Sequence, residues 1–208
     1  MKRFMYILLL VCLISLNGLA YAASTADVTV RAVVPSTLEL SYWIRSAPAG
    51  ADPYGPGSAD ATSLDYGTLT FDTTNNIWVA SDYFTVFLLP ATSGRAYTVQ
   101  QTNNGVVSTG GNDLNSHLIM TPDYITADTI GGIAQGAMPA GDSLGSASLS
   151  YGTNKVIYNG NSGESRIIRS YYGLSTGAAG EPAGALPITT SKPAGTYTGT
   201  VTFSVVLK

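Results

Sequence analysis

One cysteine, one histidine and a charged fraction of 11% leave this 208-residue chain few of the side chains that carry chemistry. The cysteine, Cys12, lies in the first apolar stretch, so the body of the chain has no thiol for a disulfide or for a Cys/His zinc set. A Ser-His-Asp triad would have to run through His117, with Asp113 or Asp123 orienting it; the plainer reading is a loop histidine. Glutamate occurs only at Glu39, Glu164 and Glu181, and the ten aspartates stand mostly beside turn residues, where Asp caps backbone. No two of these acids stand out as the carboxylate pair of a glycosidase. Asp72-Thr-Thr-Asn-Asn76 and Asn112-Asp113 offer oxygen ligands without the spacing of a calcium loop. These absences point away from an enzyme, and no metal or cofactor is expected. Basic residues are sparse and unclustered, which excludes nucleic acid as a natural partner.

No stretch carries a 3.6-residue apolar repeat over more than a turn or two, and no 20–50-residue repeat recurs. Two-residue alternation takes its place. It is clearest in Gly195-Thr-Tyr-Thr-Gly-Thr-Val-Thr-Phe-Ser-Val-Val-Leu-Lys208, where Tyr197, Val201, Phe203, Val205 and Leu207 share one side. Thr198, Thr200, Thr202, Ser204 and Lys208 take the other, with Val206 the exception. That pattern predicts a half-buried strand, launched by the turn at Pro193-Ala194-Gly195.

The amino end reads as a secretory leader: basic Met1-Lys-Arg3, a short apolar run over 6–16, and the small-x-small signal Ala20-Tyr21-Ala22. The run is too short to span a bilayer comfortably. Residues 1–22 are expected to be removed, leaving a chain without a membrane span and exported through the periplasm. Loss of Lys2 and Arg3 leaves 8 basic against 13 acidic residues, a formal charge of −5. Residues 23–34 follow as a strand-like segment in which Ala26, Val28, Val30, Ala32 and Val34 alternate with mainly polar neighbours. Pro35 interrupts it.

Residues 35–208 are long enough for one sizeable domain. Strands are predicted over 37–44, 66–71, 77–80, 83–89 and 96–102, the last turned by Asn103-Asn104-Gly105. Further strands are expected at 118–120, ending before Pro122, and at 155–158, which turns at Asn159-Gly160 and pairs with 165–172. Residues 46–63, 131–145 and 173–187 read as loops. Seven to ten short strands with turns between them predict an all-β, two-sheet sandwich.

Several of these phrases, in this order, resemble the spore-coat-U-like subunits of archaic chaperone–usher pili. The resemblance rests on Asp27-Val-Thr-Val-Arg-Ala-Val-Val34, Tyr66-Gly-Thr-Leu-Thr-Phe71, Phe84-Thr-Val86, Tyr97-Thr-Val99, the stretch from Ile167 to Gly173, and above all the closing Pro193-Ala-Gly-Thr-Tyr-Thr-Gly-Thr-Val-Thr-Phe-Ser-Val205. It covers most of the chain after the leader. It implies an immunoglobulin-like sandwich lacking one edge strand, which a periplasmic chaperone and then, at an outer-membrane usher, a neighbouring subunit completes. By that resemblance Ala26, Val28, Val30, Ala32 and Val34 are the knobs of the donor strand. Tyr197, Val201, Phe203, Val205 and Leu207 line the accepting groove. The family's usual cysteine pair is missing, the nearest positions being Thr37 or Leu38, and Leu89.

The implied function is a structural subunit of a surface or extracellular fibre, its partners being copies of itself or related pilins. Residues 26–34 can equally be read as a strand pairing within its own domain. The alternative is a self-complete secreted sandwich that binds carbohydrate or a surface through aromatics such as Trp43 and Tyr171.

Overall fold

The computed structural model describes residues 38–126 and 135–208, and every regular element in them is a β-strand. In chain order these are β1 (Glu39–Pro48), β2 (Ala59–Ala61), β3 (Thr70–Asp72), β4 (Ile77–Val79), β5 (Asp82–Ala91), β6 (Tyr97–Ser108) and β7 (Leu118–Tyr124). Then come β8 (Ser143–Leu144), β9 (Ser148–Leu149), β10 (Gly152–Gly160), β11 (Ile168–Leu174), β12 (Ile188–Thr189) and β13 (Tyr197–Leu207). One sheet has six strands in the order β2-β1-β5-β11-β7-β9, and a second has four in the order β13-β6-β10-β8. A small third sheet, β12-β4-β3, stands beside them. The sheets are antiparallel throughout.

The core lies between the two larger sheets, because alternate residues of each project into the same space. Ile44, Phe84, Val86, Leu88, Met120, Ile168 and Tyr172 come from the six-stranded sheet; Tyr97, Val99, Ile157 and Tyr158 come from the other. β5 is buried on both faces: Phe84, Thr85, Val86, Phe87 and Leu88 are all essentially inaccessible. On its outer face Phe87, with Leu89 of the same strand, packs against Trp43, Ile125 and Ile167. The chain from β1 to β2 folds over that face, held by Arg45, whose guanidinium donates to Pro53 O, Asp60 and Ser58 Oγ and lies over the Tyr54 ring.

Several boundaries differ from the sequence reading. Asn103-Asn104-Gly105 is not a hairpin turn: β6 runs straight through it. Asn103 is buried, donating to Ser150 Oγ, and its own Oδ1 accepts from Gly105 N. Gly105 has φ 126°. It faces Gly199 so closely that a Cβ on Gly199 would sit 2.3 Å from Gly105 O. The two glycines therefore serve a bulged close approach of β13 to β6, not a chain reversal.

Residues 155–158 do not pair with 165–172 either. β10 lies between β6 and β8, while β11 belongs to the other sheet, so Asn159-Gly160 ends a strand that crosses over. Gly160 packs under Tyr97, where a Cβ would meet ring carbons at 2.3–2.4 Å. β7 passes through Pro122, on the half of the strand that β9 does not reach, so the missing N–H costs no ladder bond there. The 66–71 strand shrinks to β3, and the 46–63 loop contains the end of β1 and all of β2.

Candidate functional site

Among the described residues β13 pairs with β6 alone, so one of its two edges carries no described partner. The other outermost strands are far shorter: β2 and β3 have three residues each, and β8, β9 and β12 two each, against 11 in β13. Short strands, charges and prolines are the usual guards of a sheet edge. β13 has none of them. Its sequence, YTGTVTFSVVL, contains no charged residue and no proline, and its one irregularity lies near the start, between Gly199 and Val201.

The backbone of this edge has a definite pattern. Lys208 N donates to Ala96 O at 3.0 Å, and the register from Leu207↔Tyr97 to Val201↔Asn103 is continuous. Antiparallel pairs alternate between bonded and non-bonded, so Thr202, Ser204 and Val206 turn their N–H and C=O toward β6. The N–H and C=O of Phe203, Val205 and Leu207 therefore turn outward along the edge that has no partner among the described residues.

Those same three residues send their side chains inward. Phe203, Val205 and Leu207 pack against the main core, but none is fully buried. Phe203 sits edge-on to Tyr172, with ring centroids 6.2 Å apart. β1, in the opposite sheet, approaches β13 from the other side of the core. β2 covers only Ile44, Arg45 and Ser46 of β1, so residues 39–43 also lack a described partner on the edge away from β5. Leu40 packs against the core beside this gap, and Tyr42, on the same face of β1, is 61% exposed. Phe203, Val205 and Leu207 of β13 and Leu40 and Tyr42 of β1 thus lie on two strand stretches whose outer edges have no partner among the described residues.

The residues named from sequence fall out as follows. Ala26, Val28, Val30, Ala32 and Val34 lie outside the described residues. Of the five groove positions, Phe203, Val205 and Leu207 line the core together. Val201 is half-buried outside the core clusters, and Tyr197 joins a separate cluster with Leu114, Leu118 and Ile188. Trp43 stands in the middle of β1, stacked on Phe87 at 5.1 Å and 7°, with Nε1 donating to Tyr54 Oη at 3.3 Å. Tyr171 lies on the same outer face but in a different cleft.

Sequence reading passed over Leu40 and Tyr42. Their alternation with Ile44 in the 37–44 strand was the available signal.

The polar candidates have structural partners. His117 is buried, its Nδ1 2.7 Å from Leu186 O, and burial lowers its pKa, the backbone contact only partly opposing this. Asp142 accepts from Tyr158 Oη at 2.7 Å, Ser162 N at 2.7 Å and Ser162 Oγ at 2.9 Å. Burial pushes its pKa up, yet these bonds outweigh burial and hold it below the usual carboxylate range. Glu181 is held down in the same way by Ser175, Thr176 and Gly177. Among the described residues no cluster of three or more His, Cys, Asp or Glu is placed to hold a metal ion. No protein-family model matches the chain, and no curated protein matches it.

Proposed function

We propose that this protein is an exported structural subunit that polymerises into a surface fibre by strand donation. In this reading the domain is an immunoglobulin-like sandwich short of one edge strand. A neighbour's residues 26–34 fill the slot between β13 and β1, with Ala26, Val28, Val30, Ala32 and Val34 as the inward side chains. A periplasmic chaperone holds the slot before assembly, and an outer-membrane usher hosts the exchange.

The observation that carries the reading is the long, uncharged edge of β13, which has no partner among the described residues and whose outward backbone groups belong to residues packed on the core. An exposed apolar edge of this length is an aggregation hazard unless a strand is meant to add there. Burying each valine of an incoming strand contributes roughly 1.5–3 kcal/mol, and each new backbone bond about 1 kcal/mol. Such a link would dissociate slowly.

Electron microscopy and denaturing gels of the cell-surface material test it. Wild-type chains should form fibres and a ladder of multimers in unheated samples, and Val30→Asp should abolish both while secretion continues. A wild-type chain that stays monomeric at the surface, or Val30→Asp fibres like wild type, would rule the reading out.

A further inference from the structure

The outer face of the six-stranded sheet, on the sheet opposite to β13, carries a second concavity. Tyr83 of β5, Arg169 and Tyr171 of β11, and Thr121 of β7 form its floor, and the loop 50–53 forms its wall. We infer that this cleft binds a neutral pyranose ring of a glycan.

Its volume, about 590 Å³, is in the range of small-molecule sites and accommodates one or two sugar rings. The Tyr83 and Tyr171 rings are half-buried, with centroids 5.8 Å apart and planes at 53°, an angled aromatic pair that a sugar's C–H face can pack on. Arg169 fixes the platform from one side: its guanidinium lies 5.2 Å from the Tyr171 centroid and pairs with Asp123 Oδ2 at 2.6 Å. Tyr83 is fixed from the other side, its hydroxyl donating to Ala51 O in the loop wall. The cleft therefore has rigid aromatics surrounded by hydroxyl, carboxylate and guanidinium groups, which suits a ligand with one apolar face and a hydroxylated rim.

Charge selects among sugars. Asp52 and Asp123 both raise the pKa of the Tyr171 hydroxyl, after burial has pushed it up and despite Arg169, so two carboxylates act at the site against one guanidinium. Because that guanidinium is already paired with Asp123, a sialylated or sulfated sugar finds no uncompensated cation. A neutral hexose meets acceptors and donors without a charge penalty.

A glycan array carrying neutral, sialylated and sulfated oligosaccharides, followed by titration of the intact chain with the best neutral member, tests this. The expected result is binding to neutral sugars. Tyr171→Ala should weaken it at least about tenfold, as for loss of an aromatic anchor, with Tyr171→Phe staying within about threefold. Because Tyr171→Ala could disturb the sheet, Thr121→Trp is the companion variant. Thr121 is exposed on the floor, and a tryptophan there fills the cleft without removing any core contact. It should abolish binding while leaving thermal unfolding unchanged. No binding to any neutral sugar, a preference for the anionic ones, or binding that survives Thr121→Trp would overturn the inference. Fibre formation is not needed for any of these readouts, so this site and the strand-donation reading stand or fall separately.

Discussion

Tyr42 and Leu88 are directly opposed across β1 and β5, yet Leu88 is fully buried and Tyr42 is 61% exposed. Opposed residues of an antiparallel pair share a face. Leu88, with Leu40 and Ile44 flanking Tyr42, defines that face as the inner one. The inner face is therefore sealed over β5 but exposed at Tyr42 of β1, one strand further out. Tyr42 lies on the stretch of β1 that β2 does not reach and for which the described residues hold no edge partner.

Tyr42→Ala should accordingly leave unfolding of the isolated domain within about 0.5 kcal/mol of wild type, because little of the ring is removed from water there. In the assembled fibre the same change should speed dissociation in denaturant. Comparing the two midpoints, monomer against polymer, measures how much of the ring a donated strand covers.

The alternation of backbone groups along β13 gives a sharper prediction. Val205 directs its N–H away from β6, so Val205→Pro removes a donor that only an incoming strand uses, and the fold should persist while multimers disappear. Ser204→Pro removes a ladder bond to β6 and should destabilise the domain itself by about 1–3 kcal/mol. Far-UV circular dichroism with urea titration separates the two outcomes.

Asp142 ties the 139–145 stretch to β10 and to the turn after it through Tyr158 and Ser162. Asp142→Ala leaves the buried Tyr158 hydroxyl without its acceptor and should cost about 2–3 kcal/mol, whereas Asp142→Asn should cost less. Its folded pKa is depressed, so its stabilisation is complete above the unfolded value near 4 and is lost as pH falls through the folded value. Urea midpoints of wild type and Asp142→Asn should converge in strong acid.

His117 acts in the same direction over a higher pH window. Burial lowers its folded pKa below the unfolded value of about 6.5, so the folded state binds fewer protons than the unfolded one. Its neutral form supports the fold above that value, and stability should drop as pH falls from about 7 toward 5. In His117→Gln that slope should flatten, as read from thermal midpoints across the same range.

Much of this was legible in the sequence and some was not, for identifiable reasons. β5 and β13 stand out because apolar runs and alternation are local signals. The inward set Phe203, Val205 and Leu207 was readable for the same reason. Tyr197 looked like part of that set, but the bulge at Gly199 and Val201 shifts the register, and the ring joins Leu114, Leu118 and Ile188 instead. Asn103-Asn104-Gly105 has turn chemistry, but a buried Asn103 bonded to Ser150 makes it part of a strand, a tertiary effect that no local pattern reports. The separation of β10 from β11 into different sheets is likewise a matter of topology, since adjacency in sequence favours a hairpin that the core does not use. The cleft at Tyr83, Arg169 and Tyr171 gathers residues from three strands and a loop, and only Tyr171 was visible beforehand as a candidate.

The most direct measurement is a disulfide between two different chains. With Cys12 replaced by Ala, Val30→Cys is placed in one chain and Val205→Cys in another, and the two are co-expressed and oxidised at the cell surface. Strand donation between subunits gives a covalent heterodimer that appears only when both variants are present and disappears on reduction. If the bridge forms only when both cysteines occupy the same chain, and that chain runs as a monomer, residues 26–34 complete their own domain and the fibre account is contradicted.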